Sequence, residues 1–170
     1  MKKFYSFVAA LVVAMVMLVS CGGNMAFKGE LENAKTALEK KDWAAVEQVC
    51  NTISNGKDKA TSMDLALAFL YKEQVYANKY QEAVAAGNTV NADDYIAGFE
   101  GALQLLDAAK AKSDYDGTVS ALKVLGSDIA QYETAAKQSI ENFKNAAAQA
   151  QAQAQAEAAD GEGEGEEEGE

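Results

Sequence analysis

The 170-residue chain contains no histidine, no arginine and no proline. The absence of histidine excludes Ser-His-Asp and Cys-His catalysis and removes the commonest zinc ligand. With 15 lysines against 26 acidic residues, the net charge of −11 leaves no basic groove for nucleic acid. The sequence therefore predicts no enzyme, no metal site and no cofactor, and it excludes nucleic acid as a partner.

Carboxylates are the remaining groups that could perform acid–base chemistry or bind a cation. The only acidic doublet in the foldable part is Asp93-Asp94, which stands at a predicted helix start, where capping of free backbone N–H groups explains it. The segment Asp114 to Gly117 resembles a calcium-binding loop, but two further ligand positions of such a loop are occupied by Lys112 and Lys123. A helix cap is the better interpretation of both segments.

Only two cysteines are present, Cys21 and Cys50. Cys50 occurs on the apolar face of a predicted helix, which predicts a buried small hydrophobic residue. The alternative, a redox or nucleophilic thiol, would need a neighbouring histidine or arginine to lower its pKa, and the chain has neither. We expect Cys50 to be unreactive.

The first twenty residues have the layout of an export signal. Lys2 and Lys3 precede an apolar run from Phe7 to Val19, which at about 20 Å as a helix is too short for a comfortable membrane span. The segment Leu18-Val19-Ser20-Cys21 that ends this region resembles the lipobox of bacterial lipoproteins. The alternative is an ordinary signal peptide or an uncleaved anchor in which the cysteine is incidental.

The lipoprotein resemblance implies cleavage before Cys21 and attachment of a diacylglycerol and an N-acyl chain to that residue. Two or more acyl chains hold a protein firmly on a membrane. Gly22 follows, rather than the aspartate associated with inner-membrane retention, and no acidic cluster follows directly. The resemblance therefore implies a cell-envelope protein, with the outer membrane facing the periplasm favoured over the cell surface and the inner membrane.

The composition and the lipoprotein resemblance together predict five parts. The resemblance implies a signal peptide over residues 1–20 and a lipidated cysteine with a short spacer over residues 21–26, and the apolar spacing predicts a helical domain over residues 27–145. Residues 146–159 form an Ala/Gln-rich helical extension, and residues 160–170 a tail of glycine and acidic residues. Like-charge repulsion and the backbone entropy of glycine predict that this tail is disordered.

Apolar residues recur at intervals of three and four almost throughout residues 27–145, which predicts an all-α fold. The run from Leu65 to Tyr71 is apolar on nearly all sides, as in a helix packed between two neighbours. Gly98 and Gly101 interrupt a predicted helix and indicate close approach of a second helix. The apolar stripes include Phe27, Leu31, Ala34, Leu38, Trp43, Val46, Cys50, Ile53, Ile96, Phe99, Leu103 and Leu106.

Three similar segments, 41–46, 78–84 and 113–119, each place an aromatic residue after a polar stretch. These aromatics, Trp43, Tyr80 and Tyr115, are separated by 37 and 35 residues. The pattern resembles the tetratricopeptide repeat, in which such an aromatic opens the second helix and packs into the preceding hairpin. The small residue of the family is replaced by Tyr71 and Leu106, and its closing proline is missing. A tetratricopeptide-like stack and an irregular helical bundle both remain open.

The apolar residues from Val119 to Phe143 keep a nearly seven-residue period, which predicts one long helix, and the Ala/Gln run that follows either extends this helix or frays. With the extension, the helix would run from Asp116 to Glu157 and be about 60 Å long. This helix suggests a stalk or spacer.

Two functions are consistent with these patterns. The first is a non-enzymatic module that binds a protein or peptide of the envelope, with Tyr71, Tyr76, Tyr80 and Tyr95 as the candidate surface. The second is a structural or oligomeric lipoprotein whose long C-terminal helix self-associates or provides spacing, with the acidic tail meeting a basic partner.

Overall fold

The computed structural model describes the backbone of residues 25–160 and the side chains of residues 25–152, and it confirms the all-α prediction. No strand occurs within this part of the chain. None of its helices is both long enough and apolar enough to cross a membrane. The six helices are α1 (Lys28–Glu39), α2 (Trp43–Asn55), α3 (Ser62–Ala85), α4 (Ala92–Lys110), α5 (Tyr115–Val124) and α6 (Ile129–Asp160).

Helix α3 is the centre of the domain. It begins with a capping box, in which the Thr61 hydroxyl accepts from the Asp64 backbone N–H and the Asp64 carboxylate accepts from the Thr61 N–H. Every residue from Leu65 to Tyr71 is fully buried, because α1 and α2 pack on one side of α3 and α4 on the other. The prediction of a helix enclosed by neighbours is confirmed.

The long helices alternate in direction. Lys79 of α3 pairs with Glu47 of α2, and Lys72 of α3 reaches Asn51, so α2 and α3 are antiparallel. Similarly, Lys110 pairs with Glu133, whereas the more N-terminal Phe99 of α4 stacks near Phe143 of α6. Because of this alternation, the connecting turns gather at two ends of the bundle.

We name these two ends by the turns that form them. The N-terminal pole contains Phe27, the turn 56–61, the turn 111–114 and helix α5. The distal pole contains the turns 40–42 and 86–91, together with the end of α3. Helix α6 starts at the N-terminal pole and runs along α4 towards the distal pole.

The single helix predicted from Asp116 to Glu157 is wrong, because the chain turns between α5 and α6. The Ser127 N–H donates to the Leu122 carbonyl, the Gly126 N–H donates to the Lys123 carbonyl, and Gly126 has a φ of +86°. This Schellman motif ends α5 at a position where only glycine adopts the backbone without strain. The Asp128 carboxylate then accepts from the Ala130 N–H and starts α6.

The first half of α6 packs on the domain, and the residues described after it do not. Ala136 and Ile140 form a small apolar cluster with Phe99 of α4. From Lys144 to Ala152 no side chain is buried. The helix continues to Asp160, so its later part extends without a packed face along residues 144–152.

The predicted repeat register is wrong at its second unit. Trp43 opens α2 and Tyr115 opens α5, but Tyr80 lies inside α3, which continues to Ala85. No glycine or proline interrupts this helix before Gly87, and the apolar face continues through Val75. Tyr80 is therefore not equivalent to the other two aromatics, and the wider tetratricopeptide resemblance stays a prediction.

Candidate interaction surface

Five aromatic rings meet where α3, α4 and α6 approach the distal pole. Tyr76 and Tyr80 lie one helical turn apart on α3, Tyr95 and Phe99 lie one turn apart on α4, and Phe143 comes from α6. We call this group the aromatic cluster. It brings together three of the four tyrosines predicted to form an interaction surface.

The rings contact one another in arrangements that aromatic pairs favour. Phe143 is central: its ring centroid lies 5.1 Å from that of Tyr80, edge to face, and 5.3 Å from that of Tyr95, stacked. Tyr76 adds tilted and edge contacts to Phe99 and Tyr95 at 6.0 and 6.2 Å. Such pairs are worth about 0.5–1.5 kcal/mol each beyond their buried area. The aromatic cluster therefore fixes α6 against α3 and α4.

The aromatic cluster has a buried floor and a half-exposed rim. Phe99 is 2% exposed. Tyr76, Tyr80, Tyr95 and Phe143 are each partly accessible to solvent. Rigid rings that are held in place but only half covered can add contact area to a partner at little entropic cost.

Gly98 allows Tyr76 to enter the aromatic cluster. A Cβ atom at position 98 would collide with the Cδ1, Cε1 and Cζ atoms of the Tyr76 ring. At Gly101, one turn later, the nearest atom to such a Cβ is the mobile Nζ of Lys72, at 2.9 Å. The prediction that these glycines permit close helix approach is confirmed, most strongly for Gly98.

A polar group borders the aromatic cluster on the side of α2. The Tyr76 hydroxyl donates to Glu47 Oε2 at 3.2 Å, and Lys79 Nζ pairs with Glu47 Oε1 at 2.9 Å. The same Nζ lies 5.0 Å from the Tyr76 ring centroid. Burial, reinforced by the Glu47 carboxylate, raises the pKa of Tyr76 to about 12, so this phenol stays protonated at neutral pH.

Tyr71 does not belong to this surface. Its side chain is fully buried and lies on the other side of α3, near Cys50 of α2. Burial raises the pKa of its phenol well above the usual range. The interpretation of Tyr71 as an interaction residue is wrong, because α3 is covered on all sides at this position.

Trp43 packs at the distal pole and links the first hairpin to α3. Its indole Nε1 donates to Glu82 Oε2 at 2.9 Å, and Lys41 Nζ pairs with Glu82 Oε1 at 2.9 Å. The hydrogen bond from Trp43, followed by that from Lys41, lowers the pKa of Glu82. Tyr115 lies instead against the main core near the N-terminal pole, so the two residues do not form one site.

The other candidate residues show no sign of reactive chemistry. Cys50 is fully buried, as predicted, and its Sγ donates to the Ala68 carbonyl at 3.4 Å. Burial raises the pKa of this thiol to about 12. Asp93 and Asp94 are exposed in the first turn of α4, where the Asn91 side chain caps the Asp93 N–H. Among residues 25–152, no group of three or more acidic or cysteine side chains could hold a metal ion.

The sequence pattern does not identify Phe99 and Phe143 as residues of this surface. It places each of them only in an apolar stripe, because the contact between them depends on how α4 and α6 pack. The spacing of Tyr95 and Phe99, four residues apart, was the available signal for a shared helix face.

The predicted lipidation residue Cys21, together with the predicted signal segment and the last ten residues, lies outside the described part of the chain. No protein-family model, curated protein or solved structure matches this chain.

Proposed function

We propose that this chain is a lipid-anchored lipoprotein of the bacterial cell envelope and acts as a non-enzymatic module that binds a protein or peptide. The proposal for the anchor depends on the lipobox-like segment Leu18 to Cys21 behind a charged and then apolar start. The proposal for binding depends on the half-exposed rim of the aromatic cluster.

The anchor is tested by mass spectrometry of the protein purified from membranes. We expect a mature polypeptide that begins at Cys21 and carries acyl chains on that residue. A Cys21→Ser variant should keep the signal segment and should lack the acyl mass. Recovery of the native chain with an unmodified cysteine would contradict the lipoprotein proposal.

The aromatic rim supports a protein or peptide partner better than a charged ligand. Tyr80, Tyr95 and Phe143 present apolar ring edges, and the neighbouring acidic groups Asp93 and Asp94 remain exposed. A segment with an apolar anchor residue and a flanking basic residue would suit this combination. Such a partner would lie in the envelope, beside the membrane that holds the anchor.

A pair of tyrosine variants tests binding at the rim. We expect Tyr95→Ala to abolish recovery of a partner that co-purifies with the lipidated protein from membranes. Tyr115→Ala is the matched control, since it also removes a half-buried tyrosine from the first turn of a helix, but at the other pole. Equal recovery with both variants, at unchanged thermal stability, would refute binding at the rim.

A structural role through α6 is the second candidate. It is favoured by residues 144–152 of α6, none of which is buried. This part of the helix could contact a second copy of the chain or act as a spacer. Sedimentation of the unacylated chain from residue 22 separates the two functions. A protein that remains a monomer at high concentration contradicts self-association.

A further inference from the structure

The first described residues are held firmly against the start of α3. The Asp64 carboxylate accepts from the Ala26 N–H at 3.0 Å and from the Phe27 N–H at 3.1 Å, in addition to the Thr61 N–H and hydroxyl at 2.8 Å. The Phe27 ring packs directly on Gly56. The chain therefore joins the domain at one defined point on the N-terminal pole.

Helix α5 closes this same pole. Lys112 Nζ donates to the Lys57 and Asp58 carbonyls, so the turn before α5 lies on the turn before α3. The hydroxyls of Ser62 and Thr118 share a buried hydrogen bond, which seats α5 on the first turn of α3. The attachment point and α5 thus belong to one surface.

Helix α5 carries the most exposed large apolar side chain of the described domain at its end. Val124 is 87% exposed, and it follows Thr118 by six residues, or about 9 Å along the helix axis. The preceding Lys123 is also exposed. The other exposed large apolar residue, Val84, lies at the distal pole and is only 36% exposed.

The exposed charges differ between the two poles. At the N-terminal pole the exposed lysines and acids nearly balance, whereas at the distal pole the exposed acids outnumber the lysines. An anionic lipid surface therefore repels the distal pole more strongly. The exposed residues of the N-terminal pole are Lys28, Lys57, Lys59, Lys123, Asp58, Asp114 and Asp116, and those of the distal pole are Lys40, Lys41, Glu39, Asp42, Glu82, Asp93 and Asp94.

The chain between Cys21 and the attachment point is short. Ala26 follows Cys21 by five residues, and a fully extended chain covers at most about 18 Å over that distance. A domain tethered by a lipid on Cys21 is therefore kept within that reach of the membrane at its N-terminal pole.

From these observations we propose that the N-terminal pole docks on the phospholipid headgroup layer of the membrane, with Val124 and Lys123 at the contact. This inference rests on the proposed lipid anchor. Lysine next to an exposed aliphatic side chain suits a headgroup layer, since the ammonium meets phosphate while the valine enters the apolar boundary. The aromatic cluster and the end of α6 then face away from the membrane, where a partner can reach them.

The test uses the full lipidated protein in vesicles of phosphatidylethanolamine and phosphatidylglycerol that carry a headgroup quencher. Val124→Cys and, as the matched control, Val84→Cys are labelled with the same fluorophore. Cys50 does not compete for the label, because it is fully buried. We expect quenching at position 124 to exceed that at position 84 several-fold.

The outcomes separate the docking from the anchor. Equal quenching at the two positions, or stronger quenching at position 84, in a protein whose acylation is verified by mass spectrometry overturns the docking and leaves the anchor intact. A protein that lacks acyl chains and does not float with the vesicles overturns the anchor and the docking that rests on it. Lys123→Glu in the Val124→Cys background should reduce quenching at position 124. An unchanged signal would show that Lys123 does not contribute to the membrane contact.

Discussion

The two longest helices of the domain are stabilised in different ways. Helix α3 has 24 residues and is fully buried from Leu65 to Tyr71, whereas α6 has 32 residues and buries no side chain from Lys144 to Ala152. The sequence of α6 after Phe143 contains alanine and glutamine, which favour a helix intrinsically but supply no apolar face. Burial therefore holds α3 in place, whereas local helix propensity supports α6 along residues 144–152.

The largest loss of stability is expected when a substitution creates a cavity at a buried position of α3. Phe69 is fully buried, so Phe69→Ala should lower the free energy of unfolding by about 3–5 kcal/mol. Phe143→Ala is the matched control on α6, and it should cost clearly less, since the Phe143 ring is only partly buried. Urea unfolding followed by circular dichroism measures both. Equal losses would show that α6 is as essential to the core as α3.

A buried carboxyl in α3 makes the stability of the domain depend on pH. Glu73 is 6% exposed, and burial raises its pKa from 4.5 to about 8. Between these values the unfolded chain has lost the proton that the folded chain keeps, so the free energy of unfolding should fall as pH rises from about 4.5 to 8. We expect Glu73→Gln to remove this decline and to stabilise the domain at pH 8 by up to several kcal/mol.

Glu133 of α6 is the control, because its effect on the free energy of unfolding should have the opposite dependence on pH. Hydrogen bonds from Lys110 and then from Lys137 lower its pKa, so its contribution is present above pH 4.5 and is lost as pH falls. Glu133→Gln should therefore destabilise the domain at neutral pH, whereas Glu73→Gln should stabilise it. Chemical denaturation at pH 5 and pH 8 distinguishes the two. Equal stability of the native protein and the Glu73→Gln variant at pH 8 would contradict the raised pKa of Glu73.

How much of this arrangement could be predicted depends on the range of the interactions involved. The helical spacing and the apolar run from Leu65 to Tyr71 are local signals, and they predicted the all-α fold and the central helix correctly. Gly126-Ser127-Asp128 is also a local signal, a glycine C-cap followed by polar N-cap residues, but the seven-residue period that crosses it predicts an unbroken helix.

The aromatic cluster could be predicted only in part. Tyr76, Tyr80 and Tyr95 are close in sequence, but Phe143 joins them from a helix that begins at the opposite pole. That contact depends on the turn at Gly126, where the seven-residue period predicts an unbroken helix. The burial of Tyr71 likewise depends on three helices packing around α3, although its position at the end of the apolar run from Leu65 is a local signal for burial.

Substitution of two glycines of α4 that face α3 should change the free energy of unfolding by an intermediate amount. Gly98→Ala should destabilise the domain by about 1–3 kcal/mol, because the rigid Tyr76 ring is held by Tyr95 and Phe99 and cannot move aside. Gly101→Ala should instead stabilise it by up to about 1 kcal/mol through helix propensity, since only the flexible end of Lys72 must shift. Thermal unfolding of the two variants gives the measurement. A gain from both substitutions would mean that α3 and α4 are not in close contact at Gly98.

The smallest effect is expected from removing the later part of α6. Truncation after Ala148 deletes a stretch that begins with exposed residues, so the free energy of unfolding should change by less than about 0.5 kcal/mol. The far-ultraviolet circular dichroism signal should fall in proportion to the helix removed, while the unfolding midpoint stays constant. Because an unpacked helix of this kind gains stability only by associating, a loss that grows with protein concentration would indicate that α6 pairs with a second copy. A loss that is large and independent of concentration would instead mean that the segment folds back on its own domain, and α6 would then resemble α3 after all.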